Sequence, residues 1–130
     1  MRLRFGPSQR ISRRKEIALL FDQGLRASDS LLTVLAMRNQ LDHCRAMVAV
    51  SRRHGGAVRR NRAKRLCREA FRLSAPLLPA GWDLAMIPRA AADLSLQKLR
   101  GSLVRLTRKL ADSIESGHAP SADPRRGVSE

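Results

Sequence analysis

Residues 59–72 read "RRNRAKRLCREAFR"; seven of these fourteen side chains are cationic and Glu69 is the single acid. No Gly or Pro interrupts the run, and apolar residues recur in it at helical intervals. On a wheel of about 100° per residue, Ala63, Leu66, Cys67, Ala70 and Leu73 gather on one side, with Phe71 at its margin. Asn61, Arg65, Arg68 and Arg72 fall in a narrow arc opposite, flanked by Arg62 and Lys64. The stretch predicts a helix over 58–73 that buries one face and projects a row of cations from the other. Like charges at i,i+3 and i,i+4 cost a few tenths of a kcal/mol per pair. Either core packing offsets that cost or an anionic partner removes it. A solvated basic face is the plain reading of a charge run, but such faces interleave Glu with Lys. Here ten cations meet one acid between Arg45 and Arg72.

The rest of the chain extends the imbalance. Its 130 residues suffice for one domain with one core, and they carry a net charge of +15. Self-repulsion on that scale favours a polyanionic partner, nucleic acid before an anionic membrane surface. Arg supplies 22 of the 26 cations. Its planar fork suits phosphates and base edges, although a codon bias toward Arg would produce the same excess over Lys. Cys44 and Cys67 stand apart, with neither disulfide nor zinc spacing, so a reducing cytoplasm is expected. The longest apolar run, "LLTVLAM" (31–37), is too short to span a bilayer. "MRLRFGPSQR" at the N-terminus has no apolar core of a secretory signal.

Working outward from the basic helix, "RRHGGAV" before it reads as a loop. "SLLTVLAM" (30–37) and "RAMVAVS" (45–51) read as strands joined by a turn over 39–44, hence a hairpin. Upstream, Ser12 is placed to cap a helix through "RRKEIALLFDQG", with Ile17, Leu20 and Phe21 on one face and Gly24 at its end. Downstream, "APLLPAGW" (75–82) is a connection and "DLAMI" (83–87) a buried strand stopped by Pro88. Ser95 caps a last helix with a stripe of Leu96, Leu99, Leu103, Leu106 and Leu110. The order α-β-β-α-β-α predicts a single-domain α+β sandwich over 1–116, with helices packed on a small sheet. Residues 117–130, small, polar and Pro-containing, are expected to form a disordered tail.

The chain has no catalytic constellation. His43, His54 and His118 fall in loops or tail and read as surface histidines, Asp83 and Asp93 as turn or cap residues, and Cys67 as a buried thiol.

The stretch "VSRRHGGAVRRNRAKRLCREAFR" (50–72) closely resembles the signature of the bacterial ribonuclease P protein component. Val50, Ser51, Arg52 and Arg53 match a strand end that leads through a Gly-containing loop and Ala57-Val58 into an Arg-Asn-Arg helix. That helix is matched by Arg60, Asn61, Arg62, Lys64, Arg65, Leu66, Arg68, Glu69, Phe71 and Arg72. "RRKEIALLFDQG" resembles the family's first helix, and "WDLAMIPRAAADLSLQKLRGSLVRL" its last strand and helix, so the resemblance spans roughly residues 8–112.

The resemblance implies a ribonuclease P holoenzyme subunit, part of an endoribonuclease that removes the 5′ leader from precursor tRNA. In that family a catalytic RNA subunit carries Mg²⁺-dependent chemistry and holds most of the Mg²⁺; the protein alone holds none. The partners implied are that RNA, in about a 1:1 complex, and precursor tRNA. The Arg-Asn-Arg helix binds the RNA subunit here through Arg60, Asn61, Arg62, Lys64, Arg65, Arg68 and Arg72. A cleft between the sheet and the first helix takes the leader, implicating Ile17, Phe21, Leu35, Ser51, Arg52, Arg53 and Arg89. The implied fold has a left-handed βαβ crossover. This chain departs from the family's aromatic cleft. Phe21 remains, but Ile17 and Leu35 stand where aromatics are usual, Met47 stands where Gly is frequent, and Tyr is absent. Phe21 also belongs to the apolar stripe of the first helix, so a core role stays open for it. A structural, ribosomal-type rRNA-binding protein is the alternative function.

Overall fold

The computed structural model describes residues 7–90 and 92–115. The tail expected from residue 117 lies outside the described residues. Three helices, α1 (Arg14–Gln23), α2 (Ala57–Ser74) and α3 (Leu96–Glu115), flank one sheet of four strands. The strands are β1 (Leu25–Ser28), β2 (Leu32–Arg38), β3 (Arg45–Val48) and β4 (Trp82–Pro88), in the order β1-β2-β4-β3. The α+β sandwich is therefore as expected, with two differences inside it.

The first difference is β1, a short strand absent from the sequence reading; it pairs antiparallel with β2. "LRAS" has four residues and one of them, Ala27, is buried, too little for a periodic signal. The second is that β2 and β3 do not form a hairpin. β4 lies between them, antiparallel to β2 and parallel to β3. Burial explains the order. β2 and β4 are apolar on both faces and take the two central places, whereas β3 is only partly buried and takes the edge. The outer side of β3 is covered by a parallel bridge from Arg10 to Ala46, where the Ile11 amide donates to the Ala46 carbonyl at 3.1 Å. β3, α2 and β4 thus make one βαβ unit.

Alternation along the strands separates two cores. Leu32, Val34, Ala36, Ala46, Leu84 and Met86 face the layer of α2 and α3, where Phe71, Leu99, Leu103 and Leu110 close the larger core. Leu35 and Ala85 face the other way, toward α1, and pack with Ile11 and Leu20 in a smaller one. Ser95 caps α3 as expected, its Oγ accepting from the Lys98 amide at 3.3 Å. Ser12 does not cap α1. Arg13 occupies the cap position in extended conformation, with no side-chain cap bond.

α1 is tied to the sheet by ions as well as by Leu20. Arg45 on β3 donates from Nε and Nη2 to the two Asp83 oxygens on β4, at 2.9 and 2.7 Å. Its Nη1 and Nη2 also reach Glu16 of α1 at 3.3 and 3.2 Å. The Asn39 amide adds a 2.8 Å bond to Asp83. Asp83, expected at a turn or cap, is instead a buried strand residue in this network. The Arg45 and Asp83 side chains are only 16% and 11% exposed, so removal of either leaves a poorly solvated charge. Asp83→Ala should cost about 3 kcal/mol, the lower end for a broken buried pair. Glu16→Ala, at a more exposed partner, should cost less than about 1 kcal/mol. Urea unfolding of both variants checks the order.

Candidate nucleic-acid interface

α2 has the two faces read from its sequence. Ala63, Cys67, Ala70 and Phe71 are buried, and Phe71 sits in the middle of the larger core rather than at its margin. Leu66 and Leu73 are half-buried. On the far side Asn61, Arg62, Arg65 and Arg68 are exposed, and among the described residues none of them has a side-chain hydrogen bond or ion pair. Lys64 is half-buried beside them. Arg72 differs, because Glu69 one turn earlier accepts from its Nε at 2.9 Å and from its Nη2. Arg60 differs too, with Nε buried and without a partner among the described residues. The available row is therefore Asn61, Arg65 and Arg68, with Arg62 and Lys64 beside it.

The entry to α2 is built for cations as well. Ser51 ends the strand region, and its Oγ accepts from the Arg53 amide at 3.2 Å, opening a single 3-10 turn of Arg52, Arg53 and His54. Arg52 and Arg53 are exposed. Gly55 follows at φ 102°, a conformation that side chains disfavour, and a Cβ there would lie 3.0 Å from Arg59 Cδ. His54, read as a surface residue, is only 9% exposed and bonds the Pro88 carbonyl through Nε2 at 2.8 Å. The carbonyl can only accept, so Nε2 carries the proton. This bond pins the two-arginine turn to the end of β4. The sequence signal was slight: one histidine between a cation pair and two glycines. His43 is at the surface, bonded to Asp42 and the Ser8 carbonyl; the Asp42 bond, then the Ser8 carbonyl, holds its pKa above the ordinary value. His118 lies outside the described residues.

The other proposed surface lies across the sheet, beside α1. Phe21 is 42% exposed, so it belongs to the surface and not to the smaller core. Ile17 is half-buried against that core. Leu35 is 3% exposed beneath α1 and supports the surface from below rather than presenting one. Met37, Met47 and Ile87, partly buried on the same sheet face, complete an apolar floor. Met47 thus fills space that a glycine would leave open. Arg89 is partly engaged at the end of β4: its Nε donates to the Asp29 carbonyl at 2.8 Å.

Among the described residues no group of three or more His, Cys, Asp or Glu could hold a metal ion. Asp29 is desolvated, which alone would raise its pKa, but the Ser102 hydroxyl, the Leu31 and Leu32 amides and Arg105 together hold it below the ordinary value. Burial pushes the Cys44 and Cys67 thiols up to about 12, so both stay protonated and unreactive near neutral pH. Among the described residues no helix is long and apolar enough to cross a membrane.

A basic α+β domain that buries one face of a helix and offers the other as cations and an amide is an RNA-binding protein by class. The family model for ribonuclease P matches residues 5–111. The chain belongs to the ribonuclease P protein family, the protein subunits of the ribonucleoprotein that processes tRNA. The ribonuclease P protein component of Thermotoga maritima is 36% identical over 85 residues, covering 65% of this chain and 73% of that one. That of Dehalococcoides mccartyi is 40% identical over 85 residues, with 65% and 69% covered. Among solved structures, the RNase P protein of T. maritima superposes with a TM-score of 0.70 at 30% identity, covering 77% of this chain and 96% of that one. The Staphylococcus aureus RNase P protein gives 0.67 at 26%, covering 78% and 94%. These matches do not favour the ribosomal-type alternative.

The two faces of α2 predict opposite responses to substitution. Arg65→Ala and Arg68→Ala should each leave stability within about 0.5 kcal/mol. Ala70→Lys should cost several kcal/mol or prevent folding, because it places an unpaired charge in the larger core. Thermal unfolding of the free protein distinguishes the two.

Proposed function

We propose that this chain is the non-catalytic, RNA-binding subunit of a cytoplasmic ribonuclease P holoenzyme. One copy docks through the exposed row of α2 onto one catalytic RNA and places the leader of precursor tRNA across the α1 side of the sheet. The observation that carries the reading is the row itself: among the described residues Asn61, Arg65 and Arg68 stand unpaired on a helix whose opposite face is locked into the core.

Each residue then has a physical task. Arg65, Arg68, Arg62 and Lys64 meet phosphates of the folded RNA, and the Asn61 amide can donate to a phosphate or base edge. Arg60 and Arg72 flank the row; Arg72 is already paired with Glu69, and Arg60 is half-buried. On the other surface Phe21 offers a ring to an unpaired base, worth about 1–3 kcal/mol per stacked base. Ile17 and the methionines extend that ring as apolar surface. Ser51 holds the turn that aims Arg52 and Arg53 at the leader's phosphates, and Arg89 adds a fixed guanidinium at the end of β4. On this reading Mg²⁺ would be held mainly by the RNA subunit, where it would activate water and neutralise charge at the scissile phosphate.

Reconstitution tests this assignment. Purified protein should not cleave precursor tRNA, and adding it to the cognate catalytic RNA at low Mg²⁺ should restore cleavage. RNA-free, metal-dependent cleavage by the protein would contradict the assignment. Phe21→Ala should weaken precursor-tRNA binding by the holoenzyme roughly ten-fold, the scale of one stacked base, and leave mature-tRNA binding unchanged. Equal losses for both RNAs would remove Phe21 from the leader surface.

A further inference from the structure

A groove of about 450 Å³ lies between α3 and the C-terminal end of α2, on the side of the sheet opposite α1. That volume is within the range of sites for small ligands, about 300–1,000 Å³. Leu77, Gly101 and Val104 line it with apolar surface, and Arg100, Arg105 and Arg108 line it with charge. Leu77 is 49% exposed, so about half of its surface is left uncovered by the fold.

The arginines are held in place by the protein without being used up. Arg100 donates from Nε to Ser74 Oγ at 3.2 Å and from Nη2 to the Leu73 carbonyl at 3.4 Å. Arg108 Nη2 donates to the Leu77 carbonyl at 3.2 Å, and Arg105 Nη2 to Asp29 at 2.7 Å. Arg100 thus satisfies polar groups at the end of α2, where helical carbonyls lack partners. In all three, Nη1 is uncommitted among the described residues. A guanidinium fixed on one side and free on the other is pre-organised for a phosphate.

Gly101 supplies the independent observation. It lies inside α3, where glycine weakens a helix relative to alanine. Nothing in the fold asks for it, because a Cβ at this position would meet no atom within 4 Å. A bare helix backbone opening onto an arginine-lined groove is what close approach by a ligand requires.

We propose that this groove binds an unpaired nucleotide of the RNA subunit, its base or sugar on Leu77, Gly101 and Val104 and its phosphate on Arg100 and Arg108. The proposal rests on the RNA partnership argued above and adds a second contact to it. RNA is favoured over an acidic peptide because the groove combines a row of guanidiniums with an apolar floor, matching the alternation of phosphate and base along one strand.

The test uses full-length protein and its catalytic RNA. Gly101→Ala should raise the thermal midpoint of the free protein while weakening RNA affinity. Gly101→Leu, which fills the groove from the open side, should weaken affinity about ten-fold, the scale of one lost base contact. Arg108→Ala should give a smaller loss. A joint Arg65→Ala, Arg68→Ala variant is measured alongside. If that variant loses affinity while Gly101→Leu keeps it, the groove proposal is overturned and the α2 row stands. If neither loses affinity, both readings fail. An acidic peptide or a second copy of the chain in the groove would also leave the RNA affinity of Gly101→Leu unchanged, and so overturn the proposal.

Discussion

Repulsion along α2 is the constraint that the rest of the molecule answers. Cations at i,i+3 and i,i+4 disfavour the helix by a few tenths of a kcal/mol per pair. Burial of Phe71 alone, about 1.5–3 kcal/mol, outweighs several such pairs, and Cys67 and Ala70 are fully buried beside it. The larger core therefore does more than stabilise a domain. It holds a row of like charges in register when nothing is bound to it. Close packing explains why the buried face uses Ala63, Ala70 and Cys67: small side chains let α2 lie close to α3 and to the sheet. Among the described residues Glu69 relieves the row only at Arg72, and the cations nearer the start of the helix are the ones proposed to meet RNA.

The sheet keeps the two proposed RNA-binding surfaces apart. In the proposed assignment its α2 and α3 side meets the RNA subunit and its α1 side the leader; strand alternation sends Val34 and Met86 one way and Leu35 and Ala85 the other. The Arg45–Asp83–Glu16 network fixes α1 across β3 and β4, so the position of Phe21 relative to the strands is set by ions as well as by Leu20. The His54 bond to the Pro88 carbonyl performs a related task at the other end of β4, where the Arg52–Arg53 turn begins.

Much of this was legible in the residues. The helical period of 58–73 located both faces of α2, and the leucine stripe with Ser95 located α3 and its cap. The alternative readings of Phe21 were not separable by periodicity, since a residue at the edge of an apolar stripe projects along either the core or the surface. Adjacency in sequence favours a β2–β3 hairpin, but burial decides the strand order. "DLAMI" and "LLTVLA" are apolar on both faces and belong at the centre, while Arg45 and Met47 make β3 an edge. β1 was too short to announce itself. Asp83 and His54 carried no local sign of burial, because their partners, Arg45 and Pro88, are 38 and 34 residues away. Leu35, which the resemblance implicates in leader binding, is buried in the smaller core beneath α1.

The central claim is that the α2 row works by holding RNA phosphates, and salt dependence measures that directly. Each phosphate contact releases condensed counterions and contributes roughly 0.7–0.9 to the slope of log affinity against log salt. If Arg65 and Arg68 each hold one phosphate, replacing both with Ala should lower the slope for the catalytic RNA by about 1.5. A paired change at Arg125 and Arg126, far from α2 in sequence, should lower it less. An unchanged slope in a folded Arg65, Arg68 double variant would contradict the account, because the row would then be no more than a solvated face.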